Sequence, residues 1–357
     1  YAISSKPSLL LSMTGYNTAD YAKIECVLPS GELTPLLYVE TASTPLSTHL
    51  GGLFNSLYPY DVLSITGSEQ VKLEVTLQGD NPTFELLLHR GNSTPLPLKS
   101  TTSPTTKGNY SITPNAFSSQ PGDRVSVKIT SATQHSVKNA HWEFRAENRR
   151  PVSLGVIICT FNNEELLRKN IKRLTNSQVW KEENIFLLLS NNGEIEDPSF
   201  LPETRCYRYD QANLGGSGGF GRGIYEALYG SAQKLDLTHL LLMDDDVEFH
   251  PEIISRAITL HSTSIKPSVI GGSMLQLENP THLHEAGSLI NSKKSIGTHT
   301  DVCKGELSKT QALSQLGRAQ LYDYNAWWFC SFPTEASRKA GLPLPLFIHG
   351  DDIEYGM

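Results

Sequence analysis

The period of the hydrophobic pattern changes near residue 150, and that change restricts the chain to two unlike architectures joined end to end. Before it, apolar residues alternate with polar ones at Val71, Leu73, Val75 and Leu77, at Phe84, Leu86 and Leu88, and at Val125, Val127 and Ile129. A period of two turns one face of each strand inward and the other to solvent. Turn-rich stretches such as Gly91 to Thr106, dense in Ser, Thr and Pro, separate these strands at a spacing that suits a β-sandwich or jelly-roll. Residues 1–150 are therefore expected to form an accessory all-β domain. Its Phe54, Tyr58 and Tyr60 are aromatic faces of the kind that stack on a sugar or fill a core.

After Arg149, Arg150 and Pro151, strands alternate with helices. Ser153 to Cys159 reads as a buried strand. Glu164 to Ser177 reads as a helix with Leu167, Ile171 and Leu174 on one face. Further strands are expected at Ile185 to Leu189, Arg205 to Tyr209 and Leu240 to Met243. Helices are expected from about Gly221 to Ala232 and from Pro251 onward. This order predicts an α/β domain over 151–357, a mostly parallel sheet with flanking helices. Ligands of such open sheets gather at the carboxyl ends of the strands, so the residues after Cys159, Leu189, Tyr209 and Met243 should face one crevice.

Composition removes several classes of function. Hydrophobic residues at 38% and charged residues at 19% give a globular balance. A net charge of −7, from 30 basic and 37 acidic residues, argues against nucleic acid as a partner. The five cysteines, Cys26, Cys159, Cys206, Cys303 and Cys330, form no C-x-x-C pair, so neither a disulfide framework nor a zinc site is indicated and a reducing cytoplasm fits. No apolar run approaches the ~18 residues that cross a bilayer, and no signal-peptide layout opens the chain.

Asp244, Asp245 and Asp246 follow directly on the apolar strand Leu240 to Met243. Carboxylates crowded at a strand end repel one another unless a hard divalent cation takes their oxygens. If extended geometry persists, Asp244 and Asp246 point the same way. Such a D-x-D suits a nucleotide-sugar transferase, in which metal grips the diphosphate. Upstream, Asn213 to Gly223 reads NLGGSGGFGRG, whose glycines let a backbone approach a ligand and free amides for anionic oxygens. Gly216, Gly218 and Gly221 also satisfy G-x-G-x-x-G, which raises an NAD-binding Rossmann oxidoreductase as an alternative. Context speaks against it, since the motif follows a short, polar third strand rather than the first. The first strand instead runs into Cys159, Thr160, Phe161, Asn162 and Asn163, with a ring suited to stacking a base. Downstream, Trp327 and Trp328 are adjacent within Tyr324 to Phe329, as in sugar platforms and in buried cores alike. Finally, Asp351, Asp352 and Glu354 follow the apolar Leu346, Phe347 and Ile348, at a second expected strand end and in a position for a general base.

Five stretches together carry a family resemblance: NLGGSGGFGRGIYEAL (213–228), MDDDV (243–247), GGSMLQLENPTHLHEAG (271–287), YDYNAWWFC (322–330) and PLPLFIHGDDIEYG (343–356). They resemble the polymerising galactofuranosyltransferases of mycobacterial-type galactan, inverting enzymes with a GT-A fold behind an N-terminal β-domain. The likeness implies that Thr160, Phe161, Asn213, Gly215, Gly216 and Asp245 bind the nucleotide and that Asp244 and Asp246 hold Mn2+ or Mg2+. It further implies that Asp352 is the catalytic base and that Trp327, Trp328, His284 and Asp351 line the acceptor site. A UDP-sugar donor, most simply UDP-galactofuranose, and a glycan or lipid-linked glycan acceptor of the bacterial cell envelope follow from it. So do a place at the inner face of the plasma membrane, peripheral membrane association and a homo-oligomer. The chain departs from the family at Asn163, Gly350 and Ser288, where an arginine, a tryptophan and an acidic residue are usual. The family's metal-ligand histidine lies beyond Glu354, so the 151–357 domain is expected to be C-terminally incomplete. That expectation keeps a second alternative open, a non-catalytic nucleotide- or glycan-binding fragment.

Overall fold

A computed structural model describes residues 5–6, 21–25, 43–44, 46–53, 55–146, 149–290, 299–301, 305–307, 313, 316, 322–347 and 350–356. Phe54 and Ile348, both named above, lie outside the described residues, as do Cys26 and Cys303.

The period-two segments form two five-stranded antiparallel sheets. One orders Ser43–Thr44, Ser47–Leu50, Arg124–Thr130, Thr83–His89 and Leu96–Leu98. The other orders Tyr21–Glu25, Ser136–Arg145, Val71–Gln78, Asn109–Pro114 and Ser100–Thr106. Along Val71–Gln78 the four apolar residues are buried and the residues between them face outward, as the pattern requires. Tyr58 is a core residue rather than a sugar platform, because it is buried and its hydroxyl donates to the Leu313 carbonyl at 2.9 Å.

The second half is organised on a seven-stranded mixed sheet, ordered Ser5–Lys6, Val269–Gly271, Cys330–Pro333, His239–Asp244, Leu154–Thr160, Ile185–Asn191 and Cys206–Asp210. All neighbours are parallel except Cys330–Pro333, which runs antiparallel to the strands on both sides. Strand alternation explains how both faces are covered. Val156, Ile158, Leu187, Leu189, Leu241 and Met243 pack in one cluster with Leu167, Ile171, Ile254 and Ile258. Ile157, Leu188, Leu240 and Leu242 point the other way and pack with Phe220, Ile224 and Leu228. The first of these clusters also takes in the cores of the two antiparallel sheets. Leu154–Thr160 is thus buried on both faces, which is why it reads as a continuous apolar run.

Three expectations are corrected here. The glycine-rich segment is not a loop before a helix at Gly221: the helix is Gly215–Leu228, with the glycines inside it. Asp351 and Asp352 do not end a strand but open the short helix Asp351–Gly356. Extended geometry stops at Asp244, and Asp245 and Asp246 form a turn, so the alternation that would align Asp244 with Asp246 is broken. Of the described cysteines, Cys159, Cys206 and Cys330 are free. No helix among the described residues is long and apolar enough to cross a membrane.

Candidate functional site

Parallel register brings four strand ends level. Cys159 pairs with Asp244 on one side and Ser190 on the other, Thr160 pairs with Asn191, and Asn191 with Asp210. The carboxyl ends of the strands therefore form a single polar edge, as the order of elements predicts.

The acidic turn is held from two directions. Thr160 donates its hydroxyl to Asp245 Oδ2 at 2.5 Å. Asn170 Nδ2 donates to the carbonyls of Asp245 and Val247 at 2.9 and 2.8 Å. Asn170 lies on the otherwise apolar buried face of helix Glu164–Thr175, between Leu167 and Ile171, and is itself buried. A buried amide on such a face has to find partners, and that interruption of the apolar stripe is the signal through which the sequence could have revealed it.

Burial, and then the charges of Asp246, Asp245, Asp351 and Asp352, push the Asp244 carboxyl up to about 7. Burial likewise raises Asp245, against the opposing effect of its hydrogen bonds from Thr160 and Asn163. The same environment, burial first and then Asp245, Asp244 and Asp351, pushes the Cys159 thiol up to about 12. The structure thus brings together two acidic groups more than a hundred residues apart in sequence. Their oxygens are hard donors in a field that disfavours further negative charge, which fits a divalent cation in chemistry. Closed coordination is a separate matter: no group of three His, Cys, Asp or Glu side chains arranged to enclose a metal occurs among the described residues.

Around this turn lies a network of amides. Asn191 Nδ2 donates to Asp210 Oδ1 at 2.7 Å and to the Gly193 carbonyl at 2.9 Å. Asn192 Nδ2 donates to the Gly215 carbonyl at 2.9 Å, and Gln211 Nε2 donates to Asn192 Oδ1 at 2.7 Å. Asn213 Oδ1 accepts from the Gly215 amide at 3.0 Å, so this side chain shapes the start of the helix. An open cavity of about 940 Å³ lies beside the strand ends, lined by Phe161, Asn162, Glu164, Arg168, Asn192 and Gly193 among others. Phe161, which lines it, is 52% exposed.

The glycines do mechanical work. A Cβ on Gly219 would stand 2.0 Å from Cys159 Sγ, and one on Gly223 would stand 2.3 Å from Ile157 Cγ2. They let the helix lie directly on the strand Leu154–Thr160. Gly216 faces Asp351, whose Oδ2 would be 3.1 Å from an added Cβ.

The adjacent tryptophans separate. Trp327 is buried, edge-on to Phe220 at 5.0 Å and to Tyr355 at 5.9 Å, so it joins the acidic helix to the core. Trp328 is partly exposed, donates to the Gly272 carbonyl at 3.2 Å and meets the exposed His284 ring edge-on at 6.2 Å. Asn325 fixes this loop by donating to the carbonyls of Ala326 and Phe329 at 2.9 and 3.0 Å.

No protein-family profile matches the chain. Two curated relatives do. The galactofuranosyltransferase GlfT2 of Mycobacterium tuberculosis is 30% identical over 252 residues, 66% of this chain and 39% of that protein. GlfT2 of Mycolicibacterium smegmatis is 33% identical over 248 residues, 64% of this chain and 38% of that protein. The chain thus spans well under half the length of the curated relatives it matches. Among solved structures, a mannosyltransferase from Pyrobaculum calidifontis in complex with GDP-Man and Mn2+ overlaps 58% of this chain and 51% of its own, at 12% identity and a TM-score of 0.35, a likeness too partial to carry an argument.

Proposed function

We propose, on the premise that the chain is a relative of the galactofuranosyltransferases, that it is an inverting, metal-dependent GT-A transferase moving galactofuranose from UDP-galactofuranose onto a glycan of the bacterial cell envelope. The observation that carries this reading is the convergence of Asp244, Asp245 and Asp246 with Asp351 and Asp352 at the carboxyl edge of the parallel strands. In this reading residues 1–150 serve as an accessory β-sandwich. The nucleotide lies along the strand ends, its base on Phe161 and its ribose and diphosphate near Thr160, Asn213, Gly216 and Asp245.

Asp244 and Asp246 would hold Mn2+ or Mg2+, which when bound offsets the negative charge of the departing diphosphate. The chain's own residues do the remaining work. Thr160 and Asn170 set the conformation of the acidic turn. Trp328, His284 and Asp351 serve the acceptor. Asp352 takes the proton of the attacking hydroxyl as the new bond forms from the face opposite the leaving group, which inverts the anomeric centre. A Rossmann oxidoreductase is disfavoured by the position of Gly216, Gly218 and Gly221, which lie inside the helix Gly215–Leu228 and face Asp351, Leu214 and Pro343.

The test is calorimetry against UDP, UDP-galactofuranose, UDP-galactopyranose and NAD, each with and without Mn2+. Metal-dependent UDP binding with preference for the furanose donor is expected. NAD binding without metal, or UDP affinity undiminished in a chelator, would overturn the reading.

A further inference from the structure

We infer that Gly215 is a positioning residue, whose bare left-handed backbone seats the carbonyl of Phe347 and so fixes the segment that delivers Asp351 and Asp352 to the acidic turn. What those carboxylates accomplish rests on the transferase reading; how they are held rests on geometry alone.

An added Cβ on Gly215 would stand 2.0 Å from Phe347 O, 2.6 Å from its carbonyl carbon and 3.0 Å from its Cα. These are backbone atoms, which cannot swing aside as the end of a side chain can. Gly215 also has φ +69°, a conformation that favours glycine. Opposite it, Phe347 has φ 66°, and a bulky residue with positive φ is strained unless its surroundings over-determine it.

The surroundings do so. The Ser217 amide donates to Phe347 O at 3.4 Å, and the Ser217 hydroxyl donates to the Leu344 carbonyl. From the other side, the Leu344 amide donates to Glu354 Oε2 at 3.0 Å and the Tyr355 hydroxyl to the Gly341 carbonyl at 3.1 Å. The segment 341–347 is therefore tied both to the start of the glycine helix and to the acidic helix Asp351–Gly356. The Gly216 position against Asp351 Oδ2 completes the contact.

This divides the glycine motif into two tasks. Gly219 and Gly223 bring the helix onto Leu154–Thr160, while Gly215 and Gly216 admit the acidic segment onto the helix. Phe347 contributes its backbone; its side chain is 48% exposed.

The experiment compares Gly215→Ala, Phe347→Pro and Phe347→Gly by amide hydrogen exchange over 341–356, by UDP affinity with Mn2+, and by kcat and KM for the sugar donor. Gly215→Ala blocks the seat, and Phe347→Pro breaks the contact from the other side, because proline cannot adopt positive φ. Both are expected to speed exchange in 351–356 and to lower kcat by roughly 100-fold, the penalty for a small misplacement of a reacting group; UDP affinity, read in Phe347→Pro because the family resemblance puts Gly215 at the nucleotide, is expected to hold within about threefold. Phe347→Gly keeps the carbonyl and accepts the backbone, so it should behave as wild type. If Gly215→Ala does not fold, Phe347→Pro carries the test, since its side chain lies at the surface. Unchanged exchange in both blocking variants, or UDP affinity lost in step with kcat in Phe347→Pro, would overturn the inference. A wild-type protein that shows the exchange coupling but transfers no sugar sinks the transferase reading and leaves the positioning role standing. Full kcat in Gly215→Ala, beside an active wild type, sinks the positioning role alone.

Discussion

The hydroxyl of Thr160 donates to Asp245 Oδ2 at 2.5 Å, tying the last residue of the strand Leu154–Thr160 to the middle carboxylate of the acidic turn. With Asp245 engaged by the sheet edge, Asp244 and Asp246 are the flanking carboxylates. Thr160→Val keeps the shape and removes the donor, and a hydrogen bond to a charged group contributes about 1.5 to 3 kcal/mol. Mn2+-dependent UDP affinity should fall roughly tenfold in Thr160→Val and recover in Thr160→Ser. Equal affinities for all three proteins in calorimetry would show that the bond does not shape the site.

Asp352 is proposed as the base, and it lies one residue from Asp351, which is the buried member of the pair. Asp352→Asn conserves size and cannot accept a proton. A positioned base contributes about 10²- to 10⁴-fold in rate, so initial transfer should drop by that much while UDP affinity holds. Asp351→Asn, measured beside it, should affect the acceptor KM more than kcat. Near-normal turnover in Asp352→Asn would move the role to Asp351 or Glu354.

Within one helix, two glycine substitutions should have opposite signs. A Cβ at Gly223 would stand 2.3 Å from Ile157 Cγ2, whereas one at Gly221 would make ordinary contact with Pro343 at 3.7 Å. Gly223→Ala overpacks the sheet contact and should cost about 1 to 3 kcal/mol. Gly221→Ala should stabilise by about 0.5 to 1 kcal/mol through helix propensity. Urea midpoints of the two variants decide it, and a shift in the same direction for both would contradict the packing described.

Acid should loosen the β half through His89. Burial, then the charges of Arg124 and His49, hold its imidazole down to about 3, and its Nε2 meets Ser126 Oγ at 2.8 Å. Since the folded value lies below the ordinary 6.5, the unfolded chain binds the extra proton. This contribution is complete above pH 6.5 and is lost as pH falls toward 3, by about 1.4 kcal/mol per pH unit. Unfolding free energy measured from pH 7.5 to 4.5 should fall less steeply in His89→Gln than in wild type. An identical slope would mean that His89 titrates normally in the folded protein.

Local periodicity was enough for the sequence to mark the strands between 71 and 129 and the βα order from 153 to about 260, but not the start of the glycine helix or the strand Cys330–Pro333. Alternation along Val71–Gln78 and the doubly apolar Leu154–Thr160 report which faces are buried, and a βα order places residues such as Thr160 and Asp244 at one sheet edge. Only tertiary structure decided what depends on partners distant in the chain. Composition cannot separate a glycine that frees amides for a phosphate from one that admits Cys159, Ile157 or the Phe347 carbonyl, because the difference is what lies opposite. Nor can it separate Trp327, enclosed by Phe220 and Tyr355, from the exposed-edge Trp328, since adjacent residues of an irregular loop follow no fixed period. The approach of Asp351 and Asp352 to Asp244 belongs to the same class. It costs electrostatic energy that no local rule favours, and it is sustained by the contacts of the 341–347 segment with the glycine helix.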